Sequence, residues 1–284
     1  MERPKPVELP EIGSPVADTH AHLGMLDDPA GALERAAMAD VSYVVTVVDA
    51  MEAPEGTFNN VQGWIDEAAH RLADWDIPDA SPPQLRLLLG THPHNAKDYA
   101  EEVEALILEL AADPRVAGIG EIGLDYHYDH SPRGDQRRAF RAQLALAKRL
   151  ELPVSVHLRE ARDEGFAILE EVGPPERGCV LHCFGEGPDV LERFLALGCH
   201  ISFAGPITFA KNDEVREAVK VVPADRILFE TDCPFLAPAP YRGRTNEPAW
   251  VTLILARAAE VRGVPAAELA AASLANARRL FGGS

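Results

Sequence analysis

The stretch Ala117-Gly-Ile-Gly-Glu-Ile-Gly-Leu-Asp-Tyr126 decides the fold, because it is a short apolar strand that carries one carboxylate, Glu121, among glycines and aliphatic residues. A charge in an apolar setting is costly unless something compensates it, and a cation is the usual compensation. The position therefore predicts that Glu121 is a metal ligand.

Five further candidate ligands have the same local form. Each ends a short run of β-branched or aliphatic residues: His20 and His22 end 16–22, His157 ends 153–157, His182 ends 179–182 and Asp232 ends 227–232. The carboxyl ends of strands are where α/β barrels place their chemistry. The pattern thus predicts one metal site built from five strands.

Strand-like runs recur eight times, at 16–22, 43–48, 85–91, 116–122, 153–157, 179–183, 200–203 and 227–230. Helical stretches such as 29–39, 135–150 and 189–197 lie between them, and this alternation indicates parallel strands with right-handed crossovers. The crossover at 52–84 is long and should hold a helix plus an irregular loop. We predict an α/β fold, a single (β/α)8 TIM barrel with its active site at the C-terminal strand ends.

Composition and charge narrow the class of protein. The chain has 284 residues, of which 46% are hydrophobic, so we expect one domain over 1–284 with an N-terminal extension at 1–15. The formal charge of −18 argues against broad duplex binding. We expect a cytoplasmic protein with neither a signal peptide nor a membrane span, with four reduced cysteines and no obligate protein partner.

The pair His20-Ala-His22 has two interpretations. Strand alternation points both imidazoles to one face, where they could hold one ion, but an isolated His-x-His more often belongs to structural histidines. The matching strand ends at Glu121, His157 and His182 favour the metal site.

The ordered set of ligands resembles that of the TatD-type metal-dependent deoxyribonucleases of the amidohydrolase superfamily. The resemblance spans nearly the whole chain and also includes Gly90-Thr-His-Pro-His94, Gly120-Glu-Ile-Gly-Leu-Asp-Tyr126, His157-Leu-Arg159, His182-Cys-Phe184, Ser202-Phe-Ala-Gly205, Glu230-Thr-Asp-Cys-Pro234, Arg242-Gly-Arg-Thr-Asn-Glu-Pro248 and Asn276-Ala-Arg-Arg-Leu-Phe281. It implies two divalent ions, one held by His20, His22, Glu121 and Asp232 and the other by Glu121, His157 and His182.

Such a pair of ions suits hydrolysis of a phosphodiester, with Asp232 as the acceptor of the water's proton. Mg²⁺ and Mn²⁺ fit the carboxylates, whereas Zn²⁺ fits the imidazoles, so the identity of the metal stays open. We expect an enzyme that trims nucleic-acid ends, chiefly of single-stranded DNA. The alternative is another binuclear hydrolase for an ester or amide, such as a D-aminoacyl-tRNA deacylase.

Seven more residues are candidates for contact with the substrate. His92 and His94 flank a proline after the third strand, where they could bind the scissile phosphate without touching metal, or could simply be exposed loop histidines. Arg159 could bind a phosphate oxygen or pair with a nearby carboxylate such as Glu160. The remaining four either shape the substrate mouth or fix a loop: Asp125, Tyr126, Arg242 and Asn246.

Overall fold

The structure is a computed structural model that describes residues 7–75 and 80–282. Within these residues eight strands alternate with helices. The strands are β1 Val16–Ala21, β2 Val41–Asp49, β3 Gln84–Gly90, β4 Val116–Asp125, β5 Val154–Arg159, β6 Cys179–Leu181, β7 His200–Phe203 and β8 Ile227–Phe229. They form one parallel sheet in the order of the sequence, from β1 to β8.

The described helices surround this sheet. They are α1 Pro29–Met38, α2 Pro54–Ala73, α3 Glu101–Leu110, α4 Arg133–Leu150, α5 Arg162–Val172, α6 Pro188–Ala196, α7 Asp213–Val221, α8 Val251–Arg262 and α9 Ala266–Phe281. Local chemistry sets their ends: Asp28 caps α1 by accepting from the Gly31 N–H at 3.0 Å, and α8 stops at Gly263, whose φ is 65°. The (β/α)8 prediction is confirmed.

The helix α4 shows how the outer ring packs. Phe140, Leu144 and Ala147 recur at helical spacing and are fully buried against the barrel, while Arg138 and Lys148 point to solvent. Two buried amides on the same face, Gln136 and Gln143, reach the ends of the neighbouring strands. The apolar face therefore fixes α4 on the barrel, and the amides fix the strand ends to α4.

The predicted bounds of several strands are wrong by a few residues. β6 and β8 stop at Leu181 and Phe229, so the site residues that follow them lie just beyond the ladder. β4 and β5 instead run farther than predicted, because their pairing continues up to Asp125 and Arg159. A strand ends where its partner stops pairing, which the pattern of a single strand does not show.

The barrel closes through the seam, by which we mean residues 18–22 and 230–233. Among the described residues, β1 and the chain after β8 share one isolated parallel bridge, between Ala21 and Cys233. Backbone hydrogen bonds flank it, from the His22 N–H to Cys233 O at 2.8 Å and from the Asp232 N–H to His20 O at 2.9 Å. The backbone of three candidate ligands thus takes part in closing the barrel.

A glycine near the end of β4 permits the close approach of β5. Gly123 has a φ of 142°, and a Cβ there would lie 2.0 Å from the carbonyl oxygen of His157. Any side chain would push the two strands apart. The glycine therefore keeps His157 beside the carboxylate of Glu121.

The remaining expectations concern segments outside the barrel wall. Residues 7–15 contain no helix or strand, and Val7 and Leu9 pack against the buried cluster of Ala237, Ala249 and Trp250. The long crossover holds α2 as predicted, while part of its predicted loop, 76–79, lies outside the described residues. The four cysteines are free thiols, as predicted. In the part of the chain that the structure describes, no helix has the length and apolarity needed to span a bilayer.

Candidate metal centre

The structure brings all six predicted ligands together at the carboxyl end of the barrel, around the carboxylate of Glu121. That side chain is only 4% exposed, and its two oxygens face two different groups of imidazoles. Oε2 lies 3.3 Å from His20 Nε2 and 3.7 Å from His22 Nε2. Oε1 lies 2.6 Å from His157 Nδ1 and 2.8 Å from His182 Nε2. One carboxylate therefore lies between two groups of imidazoles, which we call the two half-sites of the candidate centre.

The carboxylate of Asp232 completes the first half-site. Its Oδ1 lies 3.3 Å from His22 Nε2 and 4.0 Å from His20 Nε2. The ligand atoms of His20, His22 and Asp232 all lie within 4.8 Å of one another, which is a spacing that could hold an ion. Asp232 itself has a φ of 55°, a left-handed conformation that is uncommon for a non-glycine residue and frequent at functional sites.

One buried nitrogen of the cluster supports a metal site. His20 Nε2 is buried and lies 3.3 Å from Glu121 Oε2 without the geometry of a hydrogen bond, so it has no hydrogen-bond partner among the described residues. Its other nitrogen, Nδ1, is already held by Ser155 Oγ at 3.3 Å. Buried polar atoms rarely stay unpaired, and imidazole nitrogen is a common metal ligand. The residues present therefore fit a bound cation.

The ionisation of the cluster follows from its burial and its charges. Burial alone would raise the pKa of Glu121, but the imidazoles of His182, His92 and His157 outweigh it and hold that pKa well below the usual range. Burial alone would lower the pKa of His182, but Glu121 and Glu230 raise it well above its usual value. Since an imidazole must be neutral to bind a metal, loading of this site releases protons.

Two buried carboxylates that the sequence analysis missed hold groups of the candidate ligands and of the backbone beside them. Glu230 Oε1 accepts from the Cys183 N–H at 2.6 Å and lies 3.0 Å from His182 Nδ1. Asp18 accepts from the backbone N–H groups of His20 and Thr231, at 3.3 and 2.9 Å. A signal was present in the sequence, because each acid stands two residues before a ligand and therefore on the same face of an extended chain.

His92 lies closer to the ligand cluster than predicted. Its Nε2 is 3.4 Å from Glu121 Oε1, and its ligand atom groups with those of Glu121 and His157 within 4.8 Å. Its backbone N–H donates to Asp49 Oδ2 at 3.1 Å, which fixes the start of the loop after β3. The position is compatible with contact to an ion as well as to a phosphate.

His94 lies farther from Glu121 than His92 does, and it shares the carboxylate of Asp125 with the candidate ligand His157. His94 Nε2 lies 2.9 Å and His157 Nε2 3.3 Å from the same oxygen, Asp125 Oδ2. Burial acts to raise the pKa of Asp125, but hydrogen bonds from His157, from the Tyr128 N–H and from His94 lower it well below the usual range. Asp125 is fully buried and therefore orients imidazoles rather than meeting solvent.

The other predicted substrate residues divide into two groups. Arg159 lines the cavity above the cluster and stacks on Tyr128, with its guanidinium carbon 4.7 Å from the ring centre. Three residues are held elsewhere: Tyr126 bonds to Glu164, Arg242 stacks on Phe209, and Asn246 is buried beneath the loop that follows β8.

The cavity itself has a volume of about 840 Å³. Five of the six candidate ligands line it, and its rim includes Met25, Tyr128, Arg159 and Phe235. This size suits a small organic group or the end of a polymer rather than a folded surface.

A parallel α/β barrel with a cluster of histidines and carboxylates at the carboxyl ends of its strands defines a class of proteins, the metal-dependent hydrolases of the amidohydrolase type. Residues 17–282 match the family model described as TatD related DNase. The chain therefore belongs to the TatD family of metal-dependent hydrolases, as the sequence motifs indicated.

Relatives along most of the chain agree with this membership. The chain is 38% identical over 267 residues to the uncharacterized metal-dependent hydrolase YabD of Bacillus subtilis, covering 93% of this chain and 98% of the relative. It is 43% identical over 197 residues to the 3'-5' ssDNA/RNA exonuclease TatD of Erwinia tasmaniensis, covering 68% and 76%. The crystal structure of the TatD homologue YjjV from Escherichia coli K12 matches with a TM-score of 0.80 at 30% identity, covering 95% and 98%.

Proposed function

We propose that this enzyme removes nucleotides from the ends of nucleic-acid strands, chiefly single-stranded DNA, by hydrolysing phosphodiester bonds with two divalent metal ions. The observation that carries the proposal is the position of the Glu121 carboxylate between two pairs of imidazoles. Its Oε2 faces His20 and His22, while its Oε1 faces His157 and His182. A carboxylate placed between two groups of imidazoles is suited to bridge two ions.

In this proposal Asp232 completes the half-site of His20 and His22, and Glu121 belongs to both half-sites. When bound, the ions would supply an activated water and neutralise charge on the phosphate. Their identity is open among Mg²⁺, Mn²⁺ and Zn²⁺, because the cluster offers both carboxylates and imidazoles.

The chain's own residues handle the proton and the phosphate. The carboxylate of Asp232 lines the cavity and is 14% exposed, so it can accept a proton from a water and pass it to solvent. His92 and His94 face the same cavity and can donate to phosphate oxygens. The buried Asp125, at 2.9 Å from His94 Nε2, orients that imidazole for the task.

Arg159 is suited to a phosphate rather than to a carboxylate of the chain. Glu160, its neighbour, pairs instead with His127 at 2.6 Å, and Arg159 forms no ion pair among the residues in 7–75 and 80–282. The other arginine of the cavity, Arg162, pairs with Glu186. A single available guanidinium favours a short contact with one strand end over tracking of a long duplex.

The charge on the cavity wall also favours binding of a strand end over binding of a long duplex. The wall carries more carboxylates than cations, and outside the ligands and Asp125 the acidic residues are Asp49, Glu52, Glu160 and Glu186. Such a wall repels an extended polyanion, so binding has to come from the metal-loaded floor and from Arg159. The relative named as a 3'-5' ssDNA/RNA exonuclease also supports an end-directed activity.

The proposal also covers the cellular location of the enzyme and its independence of other proteins. Four free thiols fit the reducing cytoplasm, and we place the enzyme there. We also propose that the chain acts as one catalytic domain, without an obligate protein partner, since every predicted ligand comes from the same chain.

A substrate panel tests the proposal. Enzyme loaded separately with Mg²⁺, Mn²⁺ or Zn²⁺ is incubated with single-stranded and duplex oligonucleotides labelled at either end, and a chelator serves as the control. We expect stepwise shortening of single strands from one end and slower attack on duplex, because unpairing costs free energy. D-aminoacyl-tRNA is included as the competing substrate; release of its amino acid while all oligonucleotides stay intact would overturn the proposal.

A further inference from the structure

A half-exposed aromatic ring stands at the rim of the cavity beside the metal ligands. Phe235 is 50% exposed, although it is one of the large hydrophobic residues of the chain. Its ring centre lies 5.9 Å from that of His22, with an angle of 74° between the ring planes. A flat apolar group stacked on this ring would remove it from water, which is favourable in free energy.

The loop that carries Phe235 is fixed by hydrogen bonds on both sides. The Phe235 N–H donates to Asp232 O at 3.0 Å, and Phe235 O accepts from the side chain of Asn246 at 2.8 Å. The same amide of Asn246 donates to Thr231 O at 2.8 Å, and Asn246 is fully buried. The ring is therefore presented by a braced turn that also carries the ligand Asp232.

The other exposed aromatic of the rim already has partners on its ring. Tyr128 is stacked on His130 with ring centres 5.4 Å apart and an interplanar angle of 2°, and Arg159 lies over it at 4.7 Å. Phe235 has the edge contact with His22 and no cation or stacked ring among the described residues. Of these two rings, Phe235 is the one that can receive another flat ring.

We propose that Phe235 is the stacking platform for the base of the terminal nucleotide, an inference that rests on the proposed function. The occupant is a nucleobase because the ring lines the same cavity as the candidate ligands and contacts one of them, His22, with ring centres 5.9 Å apart, so a nucleotide whose phosphate lies on the ligands has its base beside Phe235. Stacking accepts every base, since each has a π-face. Phe235 thus binds strand ends with little preference for sequence.

Phe235 and Arg159 lie at different strands of the barrel and line one cavity, so a strand end can contact both of them at once. Phe235 follows β8, beside the half-site of His22 and Asp232, whereas Arg159 ends β5, beside the half-site of His157. The terminal base rests on Phe235, and the next phosphate of the retained strand meets the guanidinium of Arg159. The bond to be cut then lies over the metal floor between them.

The test compares Phe235→Ala, Phe235→Leu and Phe235→Trp with the unchanged metal-loaded enzyme. Each is assayed on a five-nucleotide single strand with either an ordinary or an abasic terminal nucleotide. Loss of one base stack corresponds to about 5- to 150-fold in affinity. We expect Phe235→Ala to raise KM by that factor with a smaller change in kcat. Phe235→Trp should keep KM near the value of the unchanged enzyme, and the KM of Phe235→Leu should lie between those of Phe235→Ala and the unchanged enzyme. On the abasic end the three variants should equal the unchanged enzyme.

A second measurement reports stacking without turnover. A strand that carries 2-aminopurine at its end and a phosphorothioate terminal linkage should lose fluorescence on binding to the unchanged enzyme, but not to Phe235→Ala. Trp75→Ala is the matched control, because Trp75 is 58% exposed and lies outside the cavity. It should behave as the unchanged enzyme in both assays.

The outcomes separate this inference from the proposed function. Degradation of oligonucleotides with the same KM for Phe235→Ala and the unchanged enzyme would overturn the stacking role alone. Absence of any oligonucleotide degradation, together with absence of 2-aminopurine quenching, would overturn both.

Discussion

Replacing Glu230 should weaken metal binding although the residue contacts no ion in the proposed site. Its carboxylate is 1% exposed, lies 3.0 Å from His182 Nδ1 and accepts from the Cys183 N–H at 2.6 Å. It therefore orients the imidazole of His182 and helps to raise its pKa. Partners of this kind contribute about 10- to 100-fold in metal affinity or activity, or about 1.4–2.7 kcal/mol.

Glu230→Gln should lie near the lower end of that range, because an amide oxygen still accepts a hydrogen bond while the charge is lost. Glu230→Ala should lie near the upper end, because the N–H donors that Glu230 satisfies would then be left without an acceptor. The measurement is a competition titration of each metal against a fluorescent chelator, with thermal unfolding of the same samples to verify the fold.

The matched control is Glu34→Gln. Glu34 is a partly buried glutamate on α1 that likewise accepts from a ring N–H, that of Trp75 at 2.6 Å, but it lies away from the ligands. It should retain normal metal affinity. If both Glu230 variants bind metal as tightly as the unchanged enzyme while His182→Ala loses it, the orienting role is refuted.

Three further outcomes are expected. Glu121→Ala should lose metal and nearly all hydrolysis while the barrel stays folded; two retained ions per chain with ordinary turnover would contradict the bridge. His94→Ala should keep its metal and lose about 10²- to 10³-fold in turnover, whereas His157→Ala should lose metal, as elemental analysis and hydrolysis assays on the same samples would show. His200 is buried near two arginines, and burial followed by those charges lowers its pKa from 6.5 to about 4. Between pH 6.5 and about 4 the unfolded chain takes up a proton on His200 and the folded chain does not, so the free energy of unfolding should fall by up to about 3 kcal/mol as the pH drops through this range. Denaturant titrations of His200→Gln should show a smaller dependence of this free energy on pH. An equal dependence in both proteins would refute this cause.

The positions of the ligands could be predicted from sequence because parallel strands present their carboxyl ends on one side of a barrel. His20, His157 and His182 each end an apolar run, so alternation and strand order were enough to bring them together around Glu121. The same rules do not specify distances across the barrel. The division of the Glu121 oxygens between two half-sites therefore required the structure.

The loops were less predictable, because their conformation depends on partners far along the chain. His92 approaches Glu121 Oε1 to 3.4 Å since Asp49, on a different strand, holds its backbone. Tyr126 follows the bridging strand directly, yet its hydroxyl turns to Glu164 on α5. Such contacts bring together residues tens of positions apart, and local sequence patterns carry no information about them.

The seam has a consequence for the polymer as a whole. The hydrogen bond from the Thr231 N–H to Asp18 joins residues 213 positions apart, so the seam ties most of the chain into one closed loop. The entropic cost of closing a loop grows only slowly with its length, so the stability of the closed barrel depends far more on the strength of the contacts in the seam than on the number of residues between them. Since His20, His22 and Asp232 belong to the seam, an ion held there would also cross-link β1 to the chain that follows β8. We therefore expect a bound ion to raise the free energy needed to open the seam, while the backbone hydrogen bonds of the seam keep the barrel closed when the ion is lost.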